Sequence, residues 1–146
     1  MTDGRPLRVL FVCTGNSARS IMAEALLRRH GGDRFVAFSA GTEPREVNPL
    51  TLRVLAEAGI DASRARSKSV KEFLSEPFDY VITVCDRARV SCPVFPGAHE
   101  SLHWGYEDPA EAVGTDEERL AVFRRVFLAM SKRVAQFATI AARQPV

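Results

Sequence analysis

Nearly continuous runs of hydrophobic residues alternate along this chain with segments in which apolar residues recur every three or four positions. The runs cover residues 7–12, 35–40 and 80–84, and such runs are typical of strands that are buried on both faces of a sheet. Residues 101–104 are a candidate for a fourth, shorter strand. We therefore predict three or four strands separated by helices.

The first two predicted helices have recognisable ends. One covers residues 17–29 and stops before Gly31, because glycine commonly follows the last turn of a helix. The other has Asn48 as its capping residue and Pro49 at its first position, and it runs to about residue 58. Each of these helices follows a predicted strand.

The second half of the chain contains one short and one long helical segment. Residues 70–74 predict a short helix at most. Thr115 and Glu118 form a capping box in front of a final helix that reaches about residue 141. Apolar residues that recur at helical spacing on this helix indicate a stripe facing the core, and they are Leu120, Val122, Phe123, Val126, Phe127, Met130, Val134 and Phe137.

Strands that alternate with helices predict an α/β fold, namely a small four-stranded parallel sheet with helices on both faces. No linker or repeat divides the 146 residues, so we expect one domain over residues 1–146. Functional side chains of such folds lie where the strands end. Cys13, Cys85 and the segment after Trp104 all follow strands and are expected to converge on one site.

Composition excludes several classes of partner. Hydrophobic residues make up 46% of the chain and charged residues 26%, which is ordinary for a globular protein. The net charge of +2 is too small to indicate binding to nucleic acid or to a membrane surface. With no apolar segment of membrane-spanning length and no signal segment, we expect a cytoplasmic protein, and we expect a monomer without a cofactor.

The three cysteines are too few for a secreted disulfide framework. A zinc site would require cysteines or histidines in paired short spacing, which this chain lacks, so no metal is expected. His30, His99 and His103 are interpreted as ordinary surface or core residues.

The most informative segment lies between the first strand and the first helix. It begins at Cys13, continues through five small or polar residues and ends at Arg19 and Ser20. Such a loop can direct backbone N–H groups into a concavity that suits an oxyanion, and the arginine adds a planar fork of donors. The residues expected to bind the oxyanion are Thr14, Gly15, Asn16, Ser17, Ala18 and Arg19, and further cations that could assist are Arg45, Arg87 and Arg89.

Cys13 is predicted to be a nucleophile with a depressed pKa, because the helix N-terminus and Arg19 favour the thiolate. The alternative is a buried cysteine at a strand end beside a surface arginine, which is the usual fate of a single cysteine. That alternative leaves the complete loop pattern unexplained. A Cys13→Ser variant is expected to lose turnover while it keeps its fold.

Two further cysteines follow the third predicted strand. Cys85 ends that strand, and Cys92 lies seven residues later in front of Pro93. A thiol at the end of a neighbouring strand can approach Cys13, and a tethered third thiol can approach Cys85, which would form a thiol relay in one pocket. The alternative is one buried cysteine and one incidental surface cysteine.

Asp108 is the candidate general acid. It precedes Pro109 on a stiffened loop after the fourth strand, where its carboxyl group could protonate an oxygen that leaves as Cys13 attacks. Glu107 is the second choice. An aspartate before a proline is also a common turn signal, so an exposed turn is the alternative.

With these segments in view, the chain resembles the thioredoxin-coupled arsenate reductases, which are similar in fold to the low-molecular-weight protein tyrosine phosphatases. The resemblance spans nearly the whole chain, and the Cys85/Cys92 spacing is the part specific to the reductases. The matching segments are residues 13–20, 39–41, 47–49, the pair Cys85 and Cys92, and residues 103–109.

The resemblance implies a role for each site residue in arsenate reduction and arsenic detoxification. Cys13 would attack arsenate, for which phosphate or sulfate are mimics, and Asp108 would assist the loss of water. Cys85 would then attack Cys13 and release arsenite, and Cys92 would attack Cys85 to present a disulfide to thioredoxin. The segment between Cys85 and Cys92 must loosen for this last step.

The resemblance also implies supporting residues. Asn16 and Ser20 would brace the loop and Cys13, and Ser17 would be a further partner of Cys13. Ser39 and Glu24 would support Asn16 from behind.

The chain departs from the family pattern in one segment. Some members bind a potassium ion beside the loop through residues that include a threonine and an aspartate, and here Arg66 and Lys68 occupy the corresponding segment. We therefore predict that Lys68 or Arg66 replaces the ion and that activity does not depend on potassium.

Two other functions remain open at this point. A phosphatase of the tyrosine-phosphatase type would need only Cys13, Arg19 and Asp108, but it would not need Cys92. The chain has Ala110 and Ile21 where such phosphatases usually have tyrosine and proline. A module that binds phosphate or senses oxidation would use the thiols without turnover.

Overall fold

The computed structural model describes residues 5–97 and 99–143 and contains one parallel sheet. Its strand order is β2-β1-β3-β4. The predicted four-stranded parallel sheet is therefore confirmed. The strands are β1 (Leu7–Cys13), β2 (Phe35–Gly41), β3 (Tyr80–Thr83) and β4 (Glu100–His103).

Four α-helices accompany the sheet, and three short 3₁₀ helices lie between the larger elements. The α-helices are α1 (Arg19–Gly31), α2 (Pro49–Glu57), α3 (Asp86–Ser91) and α4 (Asp116–Arg143). The 3₁₀ helices are Gly32–Arg34, Val70–Phe73 and Pro109–Glu111. The expected short helix near residue 70 is thus present as a 3₁₀ helix.

Both predicted helix caps are confirmed. The side chain of Asn48 accepts a hydrogen bond from the N–H of Leu50 at 2.9 Å, with Pro49 at the first position of α2. Thr115 and Glu118 exchange hydrogen bonds of 3.0 and 3.1 Å at the start of α4, as a capping box does. These local signals therefore determine where α2 and α4 begin.

Two helix boundaries differ from the predictions. Helix α1 begins at Arg19 and not at residue 17, because residues 14–18 form the loop after β1. The polar stretch after Cys85 has no helical pattern in the sequence, yet it forms α3. Only Ala88 of that helix is buried, so the segment has almost none of the apolar periodicity that identifies a helix.

The core lies on both faces of the sheet, as the nearly continuous apolar run of β1 requires. On one face, Phe11 contacts Trp104, and both Trp104 and Phe35 meet Phe137 of α4. On the opposite face, Phe38 packs edge-on against Phe73. Because all the strands run in the same direction, their carboxyl ends lie at one edge, where the candidate site residues follow.

Within residues 5–97 and 99–143, no helix combines the length and the hydrophobicity that a membrane span requires.

Candidate functional site

The loop between β1 and α1 is held from outside by the segment that follows β2. The carbonyl oxygens of the loop accept hydrogen bonds of 2.8–3.1 Å from that segment. The pairs are Cys13 with Thr42, Thr14 with Glu43, Gly15 with Arg45, and Ser17 with Asn48. Because these carbonyl groups are engaged on the outside, the loop keeps its backbone donors for the inside.

Those donors are available to an oxyanion. In the described part of the chain, no protein acceptor takes the backbone N–H of Gly15, Ser17 or Ala18. Gly15, Ser17 and Ala18 all line a cavity of about 290 Å³ in front of Cys13. The loop can therefore bind an anion through its backbone, as its residue pattern predicts.

Asn16 adopts an unusual backbone conformation that the surrounding residues stabilise. Its φ of 47° is in the left-handed region, which asparagine tolerates better than most residues. Its side-chain oxygen accepts a hydrogen bond from the N–H of Lys68 at 2.8 Å, and its amide donates to Ser20 Oγ at 2.7 Å. Asn16 thus links the loop to α1 and to the segment after α2.

The thiol of Cys13 lies at the floor of this cavity. Its sulfur is 2.8 Å from Ser20 Oγ and accepts a hydrogen bond from the N–H of Asn16 at 3.2 Å. Because Asn16 already donates to Ser20 Oγ, the hydroxyl proton of Ser20 is free to point at the sulfur. Both contacts stabilise negative charge on Cys13.

The predicted depression of the Cys13 pKa is wrong for this structure. Burial raises the pKa of Cys13, whose exposed fraction is 2%. Hydrogen bonds from Ser20 and Asn16 and the charge of Arg19 lower the pKa, but they do not outweigh the loss of solvation. The nucleophile therefore starts as a buried thiol with several groups ready to receive its negative charge.

Arg19 and Asp108 form the opposite wall of the cavity. The guanidinium group of Arg19 donates to the carbonyl oxygen of Tyr106 at 3.0 Å and lies 3.4 Å from Asp108 Oδ2. The other carboxyl oxygen of Asp108 accepts a hydrogen bond from the N–H of Ala110 at 3.0 Å. Glu107 instead pairs with Arg125 at the surface, so of the two candidate acids Asp108 is the one that lines the thiol cavity.

The other candidate cations separate into two groups. Arg45 and Arg87 line the cavity of Cys13. Arg89 lines a different cavity, so its expected contribution to this oxyanion site is wrong.

Cys85 lies at the same cavity and touches the loop. Its sulfur is 3.3 Å from Thr14 Oγ1, and it accepts a hydrogen bond from the N–H of Ala88 at 3.4 Å at the start of α3. Cys85 is as buried as Cys13, since its exposed fraction is also 2%. Cys13 and Cys85 therefore line one cavity, as the ends of neighbouring strands predict.

Cys92 lies elsewhere, and the expectation that all three thiols share one pocket is wrong for this conformation. Its side chain lines a separate cavity of about 390 Å³ with Phe95 and His103. Helix α3 stands between Cys85 at its first cap and Cys92 at its last. Burial raises the pKa of Cys92 to about 11, so this thiol is weakly nucleophilic where it stands.

The expected supporting residues behind the loop form contacts of their own. The hydroxyl group of Ser39 donates to Glu24, which also pairs with Arg28 at 2.6 Å, whereas the side chain of Asn16 bonds to Ser20 and to the N–H of Lys68. Support of Asn16 by Ser39 and Glu24 would therefore be indirect, and it stays a prediction.

Ser17 is not the hydrogen-bond partner of Cys13 that the resemblance implies. It lines the cavity, but the hydrogen bonds of the Cys13 sulfur go to Ser20 and Asn16.

Lys68 and Glu24 both line a larger cavity of about 740 Å³ behind α1, and the ammonium group of Lys68 donates a hydrogen bond to the carbonyl oxygen of Arg66 at 2.5 Å. Burial lowers the pKa of Lys68, and the charge of Glu24 opposes that shift. Arg66 forms a surface pair with Glu72 at 3.0 Å. Of the two cations considered beside the loop, Lys68 is the one whose charge acts on Glu24.

Three contributors to this region were not predicted from the sequence. They are the hydroxyl group of Thr14, which reaches Cys85, and the pair formed by Asp86 and His103 at 2.8 Å. The sequence could have indicated Asp86 and His103 only by their positions, because Asp86 follows Cys85 directly and His103 ends β4. Among the described residues, no group of three or more His, Cys, Asp or Glu side chains is arranged to hold a metal ion.

Comparisons with known proteins agree with this geometry. The family model of low molecular weight phosphotyrosine protein phosphatases matches residues 8–145. An arsenate reductase of Halalkalibacterium halodurans is 45% identical over 130 residues, which are 89% of this chain and 94% of that protein.

Two solved structures share the fold. A thioredoxin-dependent arsenate reductase of Corynebacterium glutamicum superposes with a TM-score of 0.73 and 29% identity, covering 98% of this chain and 66% of that one. An arsenate reductase in the phosphate binding state has a TM-score of 0.74 and 30% identity, covering 92% of this chain and 98% of that one.

Proposed function

This chain belongs to the low molecular weight phosphotyrosine protein phosphatase family and groups with its arsenate reductases, and we propose that it reduces arsenate to arsenite. The observation that carries the proposal is that two buried thiols line the same anion-binding cavity. Cys13 and Cys85 line that cavity together, and Thr14 connects the loop to the second thiol. A simple phosphatase needs only the first of these thiols.

In the first step, the sulfur of Cys13 attacks the arsenic atom of arsenate. Arg19 and the loop N–H groups hold the arsenate oxygens, and Ser20 and Asn16 stabilise the charge on sulfur. One oxygen leaves as water, taking up the thiol proton and a further proton that Asp108 delivers. The product is a Cys13–arsenic(V) adduct, and no electrons have yet been transferred to arsenic.

In the second step, the sulfur of Cys85 attacks the sulfur of Cys13. The electron pair of the sulfur–arsenic bond goes to arsenic, which leaves as arsenite, and a Cys13–Cys85 disulfide forms. The Thr14 hydroxyl and the N–H of Ala88 stabilise the charge on Cys85 as it attacks.

In the third step, Cys92 attacks the sulfur of Cys85 and frees Cys13. Helix α3 must unwind for this, because helical residues that far apart are separated by about 10 Å, whereas a disulfide needs Cα atoms within about 7 Å. The exposed Cys85–Cys92 disulfide is then reduced by the dithiol of thioredoxin. The solved Corynebacterium glutamicum relative is thioredoxin-dependent.

We also propose a setting in which the enzyme works. Residues 1–146 form a single domain that acts as a monomer in the cytoplasm and contributes to arsenic detoxification. Lys68 supplies the positive charge beside Glu24, so that no potassium ion is required there.

The relay is tested by following NADPH oxidation with arsenate, thioredoxin and thioredoxin reductase. Wild type is expected to turn over continuously, whereas Cys92→Ser forms one equivalent of arsenite and stops. Cys13→Ser forms none. Continuous turnover by Cys92→Ser would reject Cys92 as the thiol that thioredoxin reduces, and no arsenite from wild type would reject the proposed function.

Hydrolysis of phosphate monoesters is a weaker second activity of the same site. Phosphate shares the shape and charge of arsenate, and Cys13, Arg19 and Asp108 are the groups that such hydrolysis needs. Ala110 lines the cavity beyond Asp108 and provides no aromatic wall for a phosphotyrosine ring. We therefore expect slow hydrolysis of small aryl phosphates that does not depend on Cys92.

A further inference from the structure

A carboxylate–imidazole pair joins the start of α3 to the end of β4. His103 Nε2 lies 2.8 Å from Asp86 Oδ1. Asp86 is the first residue of α3 and its side chain is 90% exposed, whereas the side chain of His103 is 20% exposed. Water already solvates a carboxylate that is this exposed. The main effect of the contact is therefore to restrain the start of α3, and its effect on the carboxylate itself is smaller.

The imidazole ring is fixed on the sheet by a second contact. His103 Nδ1 lies 2.7 Å from Thr83 Oγ1, and Thr83 is a buried residue at the end of β3. The chain passes close behind the pair at Gly105, where a Cβ atom would lie 3.0 Å from Asp86 Oδ1 and 3.3 Å from His103 Nε2. The sheet therefore holds the ring, and the ring holds the first residue of the helix.

The pair also lies between the two thiol cavities. Asp86 lines the cavity that contains Cys13 and Cys85, and His103 lines the cavity that contains Cys92. A movement that brings Cys92 to Cys85 must displace the first turn of α3, to which Asp86 belongs. The contact between Asp86 and His103 has to break in that movement.

We infer that His103 is a positioning residue which, through Asp86, latches α3 closed and keeps Cys92 away from Cys85 until the relay needs it. The inference rests on the proposed relay and identifies what restrains its last internal step. The latch delays the transfer of oxidation to Cys92, and the hydrogen bonds of the Cys13 sulfur go to Ser20 and Asn16 instead of to either member of the latch.

The test uses Cys13→Ser protein, which retains only the thiols at the two ends of α3, and a small disulfide oxidant, cystamine, in place of arsenate. One thiol attacks cystamine and releases cysteamine, and the other attacks the mixed disulfide and releases a second cysteamine, so two thiols are oxidised as one disulfide is reduced. Formation of the Cys85–Cys92 disulfide is followed by alkylation and mass spectrometry.

Asp86→Asn and His103→Phe are each expected to form the disulfide about twofold to fivefold faster, as loss of an exposed side-chain contact permits. The double variant is expected to be no faster than the faster single variant, because both changes break the same contact. Asp116→Asn is the matched control, since Asp116 is also an exposed aspartate at the first position of a helix and pairs with Arg119. It should leave the rate unchanged.

Hydrogen exchange of residues 87–92 in the reduced protein is the second measurement, and the two latch variants should exchange faster there than the Asp116→Asn control. Unchanged or slower disulfide formation, additive effects in the double variant, or an equal effect of Asp116→Asn would overturn the latch. This test contains no arsenate, so its results can be interpreted even if the protein proves unable to reduce arsenate.

Discussion

Two adjacent carboxylates, Glu107 and Asp108, acquire different roles from their surroundings. Glu107 pairs with Arg125 on the surface, while Asp108 lies at the thiol cavity with one oxygen 3.4 Å from the Arg19 guanidinium group. The neighbouring N–H of Ala110 fixes the orientation of the Asp108 carboxyl group. The sequence favoured Asp108 because of the following proline, and the structure supplies the physical reason.

Asp108→Asn is predicted to slow arsenite formation in a single turnover about 100-fold, because an amide cannot deliver a proton to the departing oxygen. Glu107→Gln is the matched control and should change the rate less than twofold, about the effect of losing a surface ion pair. Quenched-flow measurement of arsenite gives both rates. Equal losses in the two variants would contradict the assignment of Asp108 as the acid.

Lys68 contributes a positive charge beside a buried network. We predict that wild-type turnover is equal in potassium and sodium chloride at matched ionic strength, because the charge of Lys68 already acts on Glu24. Lys68→Ala is expected to lose activity about tenfold, since the charge of Lys68 no longer acts on Glu24 while the pair of Glu24 with Arg28 remains, and to recover in part with potassium. Lys71→Ala, an exposed neighbour, should behave as wild type. Marked potassium stimulation of the wild type would reject this role.

The thiol of Cys92 is protonated in the closed conformation, and its pKa of about 11 lies above the ordinary value of 9.0. Because only the thiolate reacts, alkylation of Cys92 by iodoacetamide should accelerate about tenfold per pH unit from about pH 7 to about pH 9.5 without a plateau. The urea-unfolded chain should level off near its ordinary pKa. A plateau below about pH 9 in the folded protein would contradict the burial of this thiol.

At the scale of elements, the junction of β2 with the loop after β1 depends on one glycine. A Cβ atom at Gly41 would lie 2.5 Å from the carbonyl oxygen of Thr14 and 3.0 Å from the N–H of Asn16. Neither backbone atom can move without disturbing the anion loop. The close approach of these two elements is therefore possible only without a side chain at this position.

Gly41→Ala is predicted to destabilise the fold by about 2 kcal/mol, the typical effect of overpacking, and to reduce arsenite formation because the loop is displaced. Gly32→Ala provides a comparison, since Gly32 has a φ of 56° but no atom near a Cβ. That variant should lose about 1 kcal/mol through its backbone alone and remain active. Urea unfolding and single-turnover assays measure both effects, and a fully active Gly41→Ala would contradict the argument.

Helix α3 is the α-helix that the sequence pattern does not predict. It contains a single buried side chain, Ala88, so apolar spacing indicates nothing over its six residues. Its start is instead determined by Cys85, whose sulfur accepts a hydrogen bond from Ala88, a cap that cysteine rarely provides. An element with so few buried contacts is suited to unwinding, which the proposed relay requires.

At the scale of the whole molecule, the sheet and α4 are expected to stay closed while α3 opens. After one equivalent of arsenate without thioredoxin, amides of residues 87–92 should exchange hydrogen at least about tenfold faster, because α3 has little burial to lose. Protection in β1 and α4 should not change, since their side chains form the core. Cys92→Ser treated in the same way should keep α3 protected, and loss of protection throughout the chain would contradict a local opening.

The sequence by itself determined the parallel sheet, the caps of α2 and α4, and the loop from Cys13 to Ser20, because each depends on neighbours along the chain. Tertiary structure alone decided the contacts between distant segments. It brought Thr14 to Cys85, placed Cys92 in a separate cavity, and joined Asp86 to His103. It also reversed the expected pKa shift of Cys13, since the loss of solvation depends on everything that surrounds the thiol and local sequence does not contain that information.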